Sequence, residues 1–255
     1  MKSLVKSSKR VHTVEQVALE NVNVMPEVPT APIIVIEGID GSGKGTQASR
    51  LVDSLESAGK STKLLSFPRY EQTFFGERVS DFLNGRFGEL QDLNPFLISL
   101  LYAGDRFESK PVIEAAQREC DVLVLDRYVP SNMAHQSAKV TGEDRRKLCE
   151  WIDHIEFNIF GLPRPDHVLW LDTPVDVSER LIALKEARSY TDQAADLQEA
   201  DRTYQQAVRE VYQELAEQQE WSVIPVLDGN ELRTIDDIAS DIAEDVRSFL
   251  SKNGY

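Results

Sequence analysis

The run Gly38-Ile39-Asp40-Gly41-Ser42-Gly43-Lys44-Gly45-Thr46 combines the residue types that hold a phosphate chain. Its glycines let successive backbone N–H groups converge on an anion, and a lysine at the end of such a loop reaches the terminal phosphates. The spacing Gly38, Gly43, Lys44 matches G-x-x-x-x-G-K-[ST], but the last position departs from it. A hydroxyl belongs there to bind magnesium, and this chain has Gly45, with Thr46 one residue late. Magnesium must then rest on other oxygens, through waters or through a carboxylate such as Asp40. The run predicts a nucleoside triphosphate site built from Gly38, Gly41, Ser42, Gly43, Lys44, Gly45 and Thr46. A second cluster is Asp126-Arg127-Tyr128. Its carboxylate can hold magnesium through water, and its guanidinium can clamp a phosphate in a two-pronged geometry.

Both clusters must be positioned by a frame. The apolar runs 33–37, 63–67, 121–126, 167–172 and 221–227 read as strands, and being apolar on both faces they suit a parallel sheet covered by helices. The glycine run follows the first strand directly and the Asp-Arg pair ends the third, so both fall at the carboxyl edge, where open α/β sheets bind ligands. Helical spacing appears in Ala48, Leu51, Val52 and Leu55, in Val208, Val211, Tyr212 and Leu215, and in Ile235, Ile238, Ile242, Val246 and Phe249. Thr173-Pro174 reads as an N-cap with an N1 proline, and Thr141 and Thr234 each precede an Asp by three residues. Strands alternating with helices predict one three-layer α/β domain over 32–255, a five-stranded parallel sheet with helices on both faces. Residues 1–31, basic at Lys2, Lys6, Lys9 and Arg10, read as an N-terminal extension, with a plain extension ahead of an organellar transit peptide. The polar stretch 185–198 reads as a mobile excursion from the core.

Composition narrows the classes. With 28 basic and 43 acidic side chains the net charge is −15, which excludes a general nucleic-acid binder and requires a local basic site for any anionic ligand. No stretch approaches the length of a membrane span. Cys120 and Cys149 lack disulfide or metal-ligand spacing and read as buried small hydrophobes in a reducing, cytoplasmic setting. The block Phe96 to Ala103 is apolar on all sides of its helix, so either other helices wrap it or it lies at a dimer interface.

Taken in order, five segments resemble thymidylate kinase: Glu37-Gly38-Ile39-Asp40-Gly41, Phe67-Pro68-Arg69-Tyr70, Leu101-Tyr102-Ala103-Gly104-Asp105-Arg106, Asp126 through Gln136, and Gly161-Leu162-Pro163-Arg164-Pro165-Asp166. The likeness covers 33 to about 250. The loop Gly41 to Gln47 alone is also similar to adenylate kinases, whose own monophosphate-binding motifs are not matched. The resemblance implies a P-loop kinase fold, transfer of the γ-phosphoryl of ATP to dTMP with Mg²⁺, and a homodimer. It implies that Tyr102 stacks on thymine, that Arg106 hydrogen-bonds its carbonyl edge, that Asn132 is a polar base contact, and that His135 stands where a Tyr usually packs near the deoxyribose. Arg106 follows Tyr102 by four residues and shares its helix face; the alternative is a pair with Asp105 or Glu108. Arg127, Arg69 and Tyr70 match groups around the acceptor phosphate, beside Phe67 and Pro68, and Asp40 matches a carboxylate near the transferring phosphoryl.

Some members of that family carry the charge-stabilising Arg next to this Asp. Here Gly41 stands there, so the resemblance moves the role to the lid, with Arg188 favoured and Arg180 toward the adenine. Glu199 matches a metal-holding Glu of some bacterial relatives, with Asp196 one turn earlier; the alternative for these residues and Asp201 is a solvated acidic face. Lys44, Asp40, Arg127 and Arg188 are thus the expected catalytic set, and Asp40, Asp126 and Glu199 the expected metal carboxylates. Two other functions compete: a kinase for another nucleoside monophosphate, and a non-catalytic nucleotide-dependent switch, which would need no acceptor site.

Overall fold

The computed structural model describes residues 30–88, 93–186 and 202–255. Strands β1 (Ile33–Glu37), β2 (Thr62–Ser66), β3 (Val122–Asp126), β4 (His167–Asp172) and β5 (Ser222–Pro225) form one parallel sheet in the order β2-β3-β1-β4-β5. All five expected strands are present, the second shifted by one residue and the third and fifth shorter than their apolar runs. The central strands β1, β3 and β4 are apolar on both faces because both faces are covered, whereas the edge strands β2 and β5 are only partly buried. Ile33, Val35, Leu123, Leu125, Val168 and Trp170 pack on one side; Ile34, Ile36, Val122, Val124, Leu169 and Leu171 pack on the other.

Helices α1 (Lys44–Ser57), α2 (Phe74–Leu83), α3 (Pro95–Glu119), α4 (Val129–Ser137) and α5 (Gly142–Asp153) follow in chain order, α5 running into a π-helical turn, His154–Ile159. After β4 come α6 (Val175–Glu186) and α7 (Arg202–Gln219), then a small hairpin of β6 (Leu227–Asp228) and β7 (Glu231–Leu232), and α8 (Ile235–Asn253). The stripe Val208, Val211, Tyr212 and Leu215 seats α7 on the first sheet face, while Ala48, Leu51 and Leu55 of α1 and Ile238, Ile242 and Val246 of α8 seat the second. Val52 and Phe249 are only half-buried, and Ile235, at the first position of α8, is exposed.

Some local expectations are corrected. Thr234 does cap α8, accepting from Asp237 N at 3.1 Å. Thr141 makes no side-chain cap bond to α5. Thr173 turns its hydroxyl back to Leu171 O at 3.4 Å, and α6 starts instead on the Pro174 carbonyl, which accepts from Val177 N and Ser178 N. Ala31, expected in the extension, is buried, and its N–H and C=O both bond to Gln117 of α3. Cys120 and Cys149 are free and half-buried rather than buried. Within the apolar block Ile98, Ser99 and Ala103 are buried and Leu97 is 65% exposed, so neighbouring helices wrap only part of it. Among the described residues no helix is long and apolar enough to cross a membrane.

Candidate active site

The glycine loop joins β1 to α1, and Gly43 adopts φ 88° immediately before the helix. The first amides of α1, which lack intrahelical partners, therefore open onto the loop. Lys44 is buried; its Nζ donates to Ile39 O at 2.6 Å and Ser42 Oγ at 3.3 Å, leaving one N–H for a phosphate oxygen. Burial, together with the Arg127 charge, lowers Lys44 to about 8. A phosphate beside it would raise it again.

Two glycines of the loop sit at close approaches. At Gly41, φ is 74° and an added Cβ would lie 2.9 Å from Ser178 O and 2.6 Å from Ile182 Cγ1, so no arginine fits there. At Gly45 a Cβ would come within 3.1 Å of Asp126 Oδ2. The position where the phosphate-loop pattern has a hydroxyl is thus faced by a carboxylate from β3. Asp126 Oδ1 is buried with no hydrogen-bond partner among the described residues, a hard oxygen that suits a hydrated magnesium ion. Asp40, expected as a metal carboxylate, is committed elsewhere: Arg127 Nη2 bonds Oδ1, and Gln205 Nε2 donates to Oδ2 at 2.9 Å. Among the described residues no three His, Cys, Asp or Glu side chains converge as a metal cage.

Arg127 is the hinge between the loop and a second cavity. Its φ of 66° is unusual for a side-chain-bearing residue and costs on the order of 1–3 kcal/mol unless its surroundings enforce it. Glu37, fully buried at the end of β1, supplies that enforcement. Its Oε1 accepts from Tyr128 N at 2.8 Å and Ser131 N at 3.2 Å, and its Oε2 from Ser131 Oγ at 2.6 Å and Tyr212 Oη at 2.8 Å. Burial raises the Glu37 carboxyl in spite of these donors. The Arg127 guanidinium so held reaches Asp40, Gly38 O at 3.4 Å, Ser131 Oγ at 3.1 Å and His135 Nε2 at 3.3 Å. Burial alone would raise Asp40, but Arg127 and Lys44 outweigh it and hold the carboxyl well below the usual range.

His135, expected beside a sugar, lines the second cavity and contacts Arg127. Burial, with Arg127 and Lys44 nearby, lowers it to about 3, so the imidazole is neutral at pH 7. Nε2 accepts from Arg127, which puts the proton on Nδ1, 3.2 Å from Tyr204 Oη; that hydroxyl donates to His135 O at 2.9 Å. The ring is a neutral wedge between Arg127 and α7.

The second cavity opens beside the glycine loop. Asp40, Phe67, Pro68, Tyr70, Leu83, Tyr102, Arg106, Arg127, Ser131, Asn132, His135 and Gln136 line it, so most of the expected acceptor residues come together. Arg69 does not line it: its guanidinium donates to Ser109 Oγ at 3.2 Å and to Gln72. The Phe67-Pro68 peptide is cis. Tyr102 stands edge-on to Phe82, ring centroids 6.3 Å apart. Arg106 is buried, and its partner is neither Asp105 nor Glu108. Asp105 accepts from Arg69 N and Thr73 Oγ1, Glu108 from Phe75 N, and Arg106 gives two N–H groups to Glu156, Nη2 to Oε1 at 2.6 Å.

Sequence reasoning missed Glu37, Gln136, Glu156, Tyr204 and Gln205 as site residues. Glu37 carried a signal, a carboxylate closing an otherwise apolar strand. Gln136 stands in the segment after β3; it is fully buried, its Nε2 has no partner among the described residues, and its Oε1 accepts from Lys139 Nζ at 2.9 Å. Arg180 is exposed on α6. Arg188, Asp196, Glu199 and Asp201 lie outside the described residues. On either side of that stretch Arg202 of α7 pairs with Glu179 of α6 at 3.1 Å.

A family model described as thymidylate kinase matches residues 36–236. The thymidylate kinase of Mycobacterium tuberculosis (strain ATCC 25618 / H37Rv) is 35% identical over 187 residues, covering 73% of this chain and 86% of that one. That of Arabidopsis thaliana is 33% identical over 204 residues, covering 80% and 68%. Among solved structures, a thymidylate kinase from Candida albicans superposes with a TM-score of 0.62 at 25% identity, covering 86% of this chain and 92% of that one.

Proposed function

The chain belongs to the thymidylate kinase family, and from that premise we infer that it transfers the γ-phosphoryl of ATP to dTMP, yielding ADP and dTDP. One observation carries the reading: a phosphate-binding loop and a separate small-molecule cavity share Asp40 and Arg127 at their border. A nucleotide-dependent switch has no use for the second cavity.

The attacking atom is an ionised phosphate oxygen, so no general base is needed and catalysis is positioning plus neutralisation. Lys44 and the first amides of α1 hold the donor phosphates. Arg127, kept charged by Asp40 and oriented by Glu37, aligns the acceptor phosphate. Asp40 therefore acts through Arg127. Tyr102 stacks on the base, Arg106 and Asn132 face its edge, and the buried Gln136 amide offers a further donor. Arg188 neutralises the transferring phosphoryl from the lid, and Arg180 lies toward the adenine. Asp126 would hold Mg²⁺, with Glu199 as a further carboxylate; when bound, the ion neutralises the outer phosphates of ATP.

We place the catalytic unit in residues 32–255 and the protein in the cytoplasm, where its free cysteines stay reduced. Exposed Phe74, Leu97, Phe107 and Ile159 on neighbouring elements support a homodimer, expected as a dimer mass in light scattering at micromolar concentration. ADP release measured with dTMP, dUMP, AMP, CMP and GMP tests the function: dTMP is expected to be preferred, and preference for another monophosphate replaces the acceptor assignment.

A further inference from the structure

Glu156 joins two residues of the acceptor cavity through one fully buried carboxylate. Its Oε1 accepts from Arg106 Nη2 at 2.6 Å and from Asn132 Nδ2 at 2.8 Å, and its Oε2 accepts from Arg106 Nε. Asn132 Nδ2 also donates to Ser99 O at 3.0 Å. Both partners of that amide nitrogen are acceptors, so the amide cannot turn over without setting its own oxygen against two others. Asn132 Oδ1 is thereby held on the opposite side. It is buried there without a partner among the described residues, in a side chain that lines the cavity. A buried acceptor of this kind calls for a donor, and a ligand in the cavity can supply it.

We propose that Glu156 is a positioning residue for base selection: it locks the Asn132 oxygen toward the cavity and holds Arg106 beside it. The pair then presents one acceptor next to donors, the complement of a pyrimidine edge with a ring N–H beside a carbonyl. Thymine and uracil have that edge. Cytosine has a bare ring nitrogen and an exocyclic amine in those places, so it meets acceptor with acceptor and donor with donor. The assignment rests on the cavity being the dTMP site. A carboxylate does what an amide of the same shape cannot, because one end of a glutamine would present N–H groups to Arg106 or to Asn132.

The test is Glu156→Gln in the full chain, with dissociation constants for dTMP and dCMP, the KM for ATP and the thermal midpoint. The dTMP constant is expected to rise about tenfold and the preference for dTMP over dCMP to fall at least about fivefold, with the KM for ATP unchanged. A structural role alone would reduce the folded fraction and scale all turnover while leaving the preference where it was; that result overturns the proposal. Should Glu156→Gln not fold, Glu156→Asp keeps the charge near Arg106 but withdraws the oxygens from Asn132, and an unmoved preference there overturns it equally. In an Asn132→Ala background the effect of Glu156→Gln on preference must shrink, and a fully additive loss overturns the route through Asn132. A wild-type protein that binds no dTMP overturns the functional reading itself, an outcome visible before any variant is made.

Discussion

The donor loop and the acceptor cavity lie against each other and are built in opposite ways. The loop is one continuous run, Gly38 to Thr46, whose working parts are backbone amides and a single lysine. The cavity draws its walls from the segment after β2, from α2, α3 and α4, and from the loop itself. Its polar groups are aimed by partners still further away: Arg106 and Glu156 are 50 positions apart, and Tyr128 and Glu37 are 91. A backbone-made site depends on local geometry, so its substitutions should touch chemistry and spare stability. A site made of networked side chains should lose both together.

The largest effect separates these expectations. Lys44→Ala should lower kcat by at least about 10²-fold, since it removes a charged donor from the transferring phosphates. Its stability should hold or rise at pH 7, because burial, together with Arg127, already lowers this lysine to about 8 and its charge is a cost to the folded state. Urea unfolding of the variant checks this, and a marked loss of stability would break the contrast. Arg106→Ala should behave in the opposite way. It leaves Glu156 buried and unpaired, at a cost of about 3–5 kcal/mol, and raises the KM for dTMP more than about fivefold while sparing that for ATP. Equal rises for both substrates would remove Arg106 from the acceptor half.

How much could be read beforehand follows the same division. The central strands were legible because a parallel strand covered on both faces is apolar throughout, and the loop because its spacing is local. The sheet order β2-β3-β1-β4-β5 was not, since nothing in a strand names its neighbour. The resemblance brought Tyr102, Arg127, Asn132 and His135 to one cavity but gave no hint of Glu156, whose partners come from α3 and α4. Arg69, which the resemblance matches to the acceptor phosphate, turns to Ser109 and Gln72, because a side chain with that reach is aimed by tertiary packing. Caps failed where the backbone had another solution. Thr173 bonds back into its own strand end, and the Pro174 carbonyl starts α6.

A smaller effect sharpens the donor side. Gly45→Ser restores the hydroxyl of the phosphate-loop pattern, yet it should lower activity. The new Cβ would sit 3.1 Å from Asp126 Oδ2, so the carboxylate must shift or accept from the new hydroxyl, and either change would take it away from a magnesium ion held there. A fall of about threefold to tenfold in kcat, with more Mg²⁺ needed for half-maximal rate, is expected; each tenfold corresponds to about 1.4 kcal/mol in the barrier. A magnesium titration of both proteins reads it directly. A gain in activity would show that Asp126 was never a substitute for the missing hydroxyl.

The smallest effect at neutral pH belongs to His135→Gln, and it should appear only in acid. Glutamine keeps an acceptor for Arg127 and an N–H for Tyr204. In the folded chain burial, with Arg127 and Lys44 adding to it and Asp40 opposing, lowers the imidazole to about 3, against about 6.5 in the unfolded chain. Between those values the unfolded state binds a proton that the folded state does not. Stability is therefore complete above about pH 6.5 and declines as the pH falls toward about 3. Asp40 has the depressed pKa of a paired carboxylate, so its own contribution is lost only below the ordinary range near 4 and does not blur the upper part of the window. Thermal midpoints from pH 7.5 to 4.5 should drop for the wild type and drop less for the variant. Parallel profiles would mean that the imidazole takes up its proton without penalty, and a charge at that position, pressed against Arg127, would require the acceptor half to be far looser than its hydrogen-bond network implies.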